Sequence, residues 1–161
     1  DEEAVITFLR ENGFTENFEI SPVFMYEIYN KDQYAPREYN LTQNVEVKSA
    51  DVLAIKELAK KVEKLVEKGV IFSASPVEYY YSKLPETRIS LLPEAIKDAK
   101  ARAEAIALSS GKKVRAIKSV SMGVVQVMPV GAIEISDYGS YDTSGIEKEV
   151  MTTVKATFSL E

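Results

Sequence analysis

The sequence predicts an α+β domain: a mixed, largely antiparallel sheet with two long helices packed on one face, in the order α-β-β-α-β-α-β-β. Three observations lead there. A helical pattern closed by glycine and followed by an apolar, β-prone segment occurs three times, ending at Gly13, Gly69 and Gly111. Strict period-two alternation runs from Tyr39 to Lys48 and again from Val150 to Leu160, as in strands with one wet face. The chain has 161 residues, 45% hydrophobic and 28% charged, the profile of one globular domain. A chain of this length buries roughly 70% of its unfolded surface, so the domain, taken as 1–161, needs no disulfide or metal staple.

The first helix is expected over about 2–12. Val5, Phe8 and Leu9 form its apolar stripe, and Asn12-Gly13 suits a left-handed cap. The first strand follows over about 17–30, with the apolar centre Val23-Phe24-Met25-Tyr26-Glu27-Ile28-Tyr29. Pro36 lies in a polar turn, and the second strand, about 38–48, closes a long hairpin. The second helix covers about 52–68, capped by Ser49 or Asp51 and ended by Gly69. Ile55, Leu58, Ala59, Val62, Leu65 and Val66 line its inner face, and Glu57–Lys61 is an i,i+4 pair.

A third strand is expected over about 70–83, carrying Tyr79-Tyr80-Tyr81. Here Ser75-Pro76-Val77-Glu78-Tyr79-Tyr80 resembles the earlier Ser21-Pro22-Val23-Phe24-Met25-Tyr26, a repeat that suggests a shared kink. A connector with Pro85 leads to the third helix, about 93–110, in which Ala95, Ile96, Ala99, Ala103, Ile106 and Ala107 face inward. Asp98–Arg102 and Lys100–Glu104 are i,i+4 pairs on its surface. The fourth strand, about 114–128, contains Gly123, which permits a bulge. A loop over 129–148 separates it from the fifth strand, about 150–160.

Composition removes several function classes. Cysteine, histidine and tryptophan are absent. Disulfides, thiolate nucleophiles, Cys-type zinc sites and the usual near-neutral general base are therefore excluded. The net charge of −5 disfavours binding to nucleic acid or to an anionic membrane. No apolar run has the length of a transmembrane span. The abrupt start at Asp1-Glu2-Glu3 reads as a mature or trimmed chain.

No catalytic, cofactor or metal motif stands out. Asp98, Arg102 and Glu104 have the spacing of exposed helical pairs, which are common and weak. Glu134, Asp137 and Asp142 lack the spacing of an EF-hand loop. Ser109-Ser110-Gly111-Lys112-Lys113 superficially resembles a phosphate loop, but it sits at a helix C-terminus, where the dipole repels anions. The tyrosines carry more information. Tyr79, Tyr80 and Tyr81 on one strand point to both sheet faces, and Tyr138 and Tyr141 mark the long loop. Tyrosine is favoured at interfaces, so these five form the expected partner or oligomer surface.

Three stretches together resemble the SIMPL-domain family. They are the alanine-rich helix around Ala101-Arg102-Ala103-Glu104 with Gly111 and its strand; Val45-Glu46-Val47 followed by Asp51 and the helix ending at Gly69; and the closing Val154-Lys155-Ala156-Thr157-Phe158-Ser159-Leu160. The likeness covers about residues 2–160. It departs where family members carry a second glycine soon after the helix cap, since Lys112, Lys113 and Val114 follow Gly111 here. The resemblance implies a signal peptide and an opening strand upstream of Asp1, a periplasmic or cell-envelope location, and relatives linked to oxidative-stress defence or to channel-like oligomers. It supplies no enzyme chemistry. The expectation is a non-enzymatic domain without cofactors that self-associates or binds a protein partner. The alternatives are a small-ligand-binding protein or hydrolase working without His and Cys, and an adaptor that takes an extended peptide at a sheet edge.

Overall fold

The computed structural model describes residues 1–32, 34–133 and 136–161. Helices and antiparallel strands make an α+β fold, and the chain divides into two compact units, Asp1–Val77 and Glu78–Glu161.

The first unit begins with α1 (Glu2–Glu11) and continues through β1 (Phe18–Ile20), β2 (Phe24–Ile28), β3 (Glu38–Thr42), β4 (Val45–Val47), α2 (Val52–Lys61) and α3 (Lys64–Glu67). Its core is Phe8, Leu9, Phe14, Leu58, Leu65 and Val70, flanked by Val5, Phe18, Val47, Ile55 and Val62. Two helix ends supply much of that core. After α1, Gly13 takes φ +89°; its N–H donates to Arg10 O, and the Phe14 N–H reaches back to Leu9 O at 2.9 Å. After α3, Gly69 takes φ +79°; its N–H donates to Val66 O, and the Val70 N–H reaches Leu65 O at 3.0 Å. Each is a Schellman cap, in which the residue after the glycine packs on the residue one turn before the end. Leu9–Phe14 and Leu65–Val70 are such pairs, and all four side chains are buried. The third glycine stop, at Gly111, makes the same two bonds with Ala107 and Leu108.

A Cβ at Gly69 would meet nothing within 4 Å. The cost of Gly69→Ala is therefore that of forcing an L-residue into the left-handed region, about 1–2 kcal/mol. Urea unfolding should show that loss, and Gly69→Asn should show less of it, because asparagine tolerates this region.

The first two predicted strands form as one long ribbon with a break in each arm. β1 pairs with β4 and β2 with β3, both antiparallel, in separate two-stranded sheets. The break falls at Ser21-Pro22-Val23 on one side and Gln43-Asn44 on the other, where the Ser21 N–H still donates to Asn44 O. Phe18 and Val47 hold the near end to the core. The far end, β2–β3, is exposed at every residue. Of the alternating face predicted here, Tyr39, Leu41, Gln43, Val45 and Val47, only Val47 packs against the core. The second predicted helix divides into α2 and α3. Asp51 caps it, accepting from the Ala54 N–H at 2.9 Å. Val66 faces solvent rather than the core. Glu57 pairs with Lys60 at 2.6 Å instead of Lys61, whose ammonium donates to Asn12 Oδ1. The Lys60 hydrogen bond and charge hold the Glu57 carboxyl below its ordinary value.

The second unit contains α4 (Leu84–Ser90), α5 (Leu92–Ser109), β5 (Val114–Pro129) and β6 (Lys148–Leu160). α5 packs against the β5–β6 ribbon. Ala107 is buried beneath it, while Ile106, expected inside, is largely exposed. Both predicted ion pairs on α5 form, Asp98–Arg102 at 2.9 Å and Lys100–Glu104 at 3.7 Å.

Two expectations are corrected here. The strand predicted over 70–83 does not form, so the Ser-Pro repeat yields a strand in its first copy only. A strand needs a ladder partner, and this segment spends two of its amides otherwise: the Tyr79 N–H on a loop carbonyl and the Tyr81 N–H on a side-chain hydroxyl. The connector around Pro85 is helical instead, as α4, with the proline in its first turn where no N–H is needed. Among the described residues the named strands pair as three antiparallel two-stranded ribbons in place of the expected mixed sheet, within the expected α+β class.

The bulge expected at Gly123 is present. Met122 pairs with Val154 and Val125 with Thr152, so residues 123 and 124 oppose Thr153 alone. A Cβ at Gly123 would collide with Thr153 Oγ1. Gly123→Ala should cost about 1 kcal/mol, near the lower end of overpacking penalties because the hydroxyl is exposed and can rotate. Adding Thr153→Ala should recover most of it in a double-mutant cycle on thermal stability.

Candidate functional site

The second unit assembles most of the predicted tyrosine surface, by a route other than a strand. Its base is the end of β5, where Gln126, Val127 and Met128 are buried. Residues 140–142 fold back along this end. The Val127 N–H donates to Ser140 O and the Asp142 N–H donates to Val127 O, both at 2.8 Å, and Tyr141 bridges Val127 in parallel sense. Gln126 braces the same loop: its Oε1 accepts from the Ser136 N–H at 3.0 Å and lies 3.4 Å from the Ser140 hydroxyl that donates to it. Gln126 Nε2 and Thr152 Oγ1 are buried with no partner among the described residues.

Asp142 closes the loop on its other side. Its carboxylate accepts from the Ser144 hydroxyl at 2.7 Å and from the Ser144 and Gly145 amides. Those hydrogen bonds, chiefly the one from Ser144, hold its carboxyl below the ordinary value, against an opposing effect of burial. The Lys148 ammonium, on a side chain only 6% exposed, donates to Asp142 O at 2.6 Å and lies 3.4 Å from Asp142 Oδ2. A nearly buried ammonium needs such a partner.

On this loop lies the segment with Tyr79, Tyr80 and Tyr81. The Tyr79 N–H donates to Thr143 O at 2.8 Å, and the Tyr81 N–H donates to Tyr141 Oη at 2.7 Å. The Tyr80 and Tyr141 rings are 5.9 Å apart at 32°, a favourable tilted contact. Tyr80 Oη donates to Glu78 Oε2 at 2.6 Å, and Tyr81 Oη is 2.9 Å from Thr87 Oγ1 on α4. Four of the five predicted residues therefore converge. Tyr138 does not join them; it stands at a turn and is 97% exposed. The Tyr80 and Tyr141 rings remain accessible, at 68% and 40%. The arrangement leaves ring faces and phenolic edges at the surface.

The matching family model is SIMPL, a protein of unknown function (DUF541), and it covers residues 1–158. This chain belongs to the SIMPL family. The match runs through both compact units, so the SIMPL domain here includes the ribbons of the first and the tyrosine loop of the second. No curated protein and no solved structure matches the chain.

Elsewhere, the first unit carries two open grooves. One is lined by Glu3, Ala4, Ile6, Thr7, Arg10 and Lys68, the other by residues of β1 and β4 with Glu16, Asn17 and Lys48. Glu57 and Asp142, the carboxylates held below their ordinary values, line neither. Among the described residues no three acidic side chains form a group able to hold a metal ion. Glu134 lies outside the described residues. The amides of Gly111 and Lys112 are consumed by the cap of α5, in keeping with the dismissal of a phosphate loop there. Among the described residues, no helix is long and apolar enough to cross a membrane.

Sequence reasoning missed two groups. Gln126 was detectable as a lone amide in the apolar run Val124-Val125-Gln126-Val127-Met128. The apolar residues of β2 were read as the centre of a strand, and the structure leaves that strand exposed at every residue.

Proposed function

We propose that this SIMPL domain is non-enzymatic and acts by self-association or by binding a protein partner in the cell envelope. One observation carries this reading: large apolar side chains stand exposed on two-stranded ribbons whose outer edges, among the described residues, lack a strand partner. Phe24, Met25, Tyr26 and Leu41 are exposed on one ribbon, and Ile117, Val120 and Met122 on another. Two-stranded ribbons are marginal by themselves, and open edges are templates for further pairing. Sedimentation velocity from about 10 to about 500 µM should show concentration-dependent association. A single monomeric species throughout counts against self-association. The envelope location rests on the family resemblance and is tested by fractionating cells that express the native gene. A role in oxidative-stress defence has the same basis; peroxide sensitivity of a deletion strain tests it.

The sheet-edge adaptor is the second reading, favoured by the same open edges. An extended peptide should then shift β-ribbon amide resonances, and absence of any shift at millimolar peptide removes the idea. The hydrolase reading finds little support in two open grooves, one on a helical surface and one beside β1 and β4.

A further inference from the structure

We propose that the open edge of β2 pairs with β2 of a second copy of this chain, antiparallel and centred on Tyr26. The proposal rests on the self-association reading and gives it a surface. No residue of β2 or β3 joins the core of its unit. Apolar groups are unevenly spread across this arm. Val23, Phe24, Met25, Tyr26, Ile28 and Tyr29 crowd the β2 side, with Phe24 67% and Tyr29 86% exposed. β3 instead alternates Glu38, Asn40 and Thr42 with Tyr39 and Leu41. Among the described residues both outer edges of the arm lack a strand partner, and the β2 edge is the more apolar of the two.

The sequence of β2 is complementary to itself. Pairing about a two-fold at Tyr26 sets Tyr26 opposite the second copy's Tyr26, Phe24 opposite Ile28, and Met25 opposite Glu27. No like charges meet, and Glu27 keeps Arg37, 3.6 Å away across the arm. Residues two apart share a face, so Phe24, Tyr26 and Ile28 of both copies would form one strip of six apolar side chains. The Phe24 and Tyr26 rings already lie 6.2 Å apart. Tyr26 can sit at a hydrogen-bonded or a non-hydrogen-bonded position, since antiparallel ladders accept a two-fold at either. Pairing through β3 instead would leave only Tyr39 and Leu41 in apolar contact. The six side chains on the β2 side expose on the order of 700 Å² per copy; edge pairing covers only part of this, so the dimer is expected to be weaker than one with the roughly 800 Å² per partner of a standard interface. The product is a four-stranded antiparallel sheet, β3-β2-β2-β3.

Charge exchange tests the register. Tyr26→Lys and Tyr26→Glu each place like charges opposite one another and should weaken association at least about tenfold. An equimolar mixture of the two variants should recover it. Tyr26 is exposed, so the thermal midpoint of each isolated variant should stay close to that of the parent chain. The chain has no cysteine, so Tyr26→Cys gives an independent readout: it should oxidise to a linked dimer, whereas Leu41→Cys should not. Variants that associate like the parent, a mixture that fails to recover, or equal cross-linking through Leu41→Cys overturns this pairing and leaves self-association by another surface. A parent chain that stays monomeric removes both.

Discussion

Phe14→Ala is expected to destabilise the Asp1–Val77 unit by about 3–5 kcal/mol, a large part of the stability of any small domain. Phe14 is 4% exposed and belongs to the six-residue core. It arrives there because Gly13 reverses the chain after α1 and sends the next residue back onto Leu9. Truncation removes a large ring and leaves a cavity that neighbouring helix ends cannot collapse into, since each is fixed by its own cap. Urea denaturation with a fluorescence or amide-exchange readout should show the midpoint falling and protection lost across α1, α2 and α3. Phe14→Leu should recover more than half of the loss by refilling volume. Similar behaviour of Phe14→Ala and the parent chain would mean that the core is organised elsewhere.

The caps also explain which parts of the fold were legible in the sequence. Glycine after an amphipathic run is a local signal, and all three helix ends it marked are where they were expected. The fifth predicted strand and the bulge at Gly123 were likewise local, resting on alternation and on one missing Cβ. What failed was the pairing of one segment. The stretch 70–83 has the composition of a strand, but composition does not name a partner, and its amides went to Thr143 O and Tyr141 Oη instead. The same gap left the cover of the apolar residues of β2 undetermined. Their pattern demands cover without saying whether the cover comes from this chain, and in this chain they stay exposed.

The candidate site shows the same division. Tyrosine frequency pointed to residues of which four lie together, for an incomplete reason. Tyr79, Tyr80 and Tyr81 meet the loop of Tyr141 because the loop 136–148 is pinned to β5, and that pinning depends on Gln126, Asp142 and Lys148, whose contacts follow no local sequence pattern. Tyr138, equally conspicuous in the sequence, has no such tether to the group and stands in solvent. Removing the tether should therefore disturb the tyrosine surface more than altering any one ring.

Asp142→Ala is the sharpest form of that experiment. It removes the acceptor of two loop amides and the carboxylate beside a lysine that is almost wholly buried. Taking away one partner of a nearly buried pair is strongly destabilising, because the remaining charge stays behind without its counter-ion. The expected result is a lower thermal midpoint for the Glu78–Glu161 unit and faster exchange of the Ser144 and Gly145 amides. Loss of the Tyr80–Tyr141 ring contact should appear in aromatic chemical shifts. Asp142→Asn should be milder, since an amide oxygen can still accept from Ser144. The pH dependence has a definite sign. The Asp142 carboxyl is held below its ordinary value of 3.8 by hydrogen bonds made in the fold. Its stabilising contribution is therefore fully present above that value and is lost as pH falls through the lower folded value. Acid titration of the parent chain should show the loop amides losing protection below about pH 3.8, and Asp142→Asn should lack that step. If the parent chain and Asp142→Asn lose protection together, other carboxylates govern the acid transition, and the loop is pinned by Gln126 and Val127 rather than by Asp142.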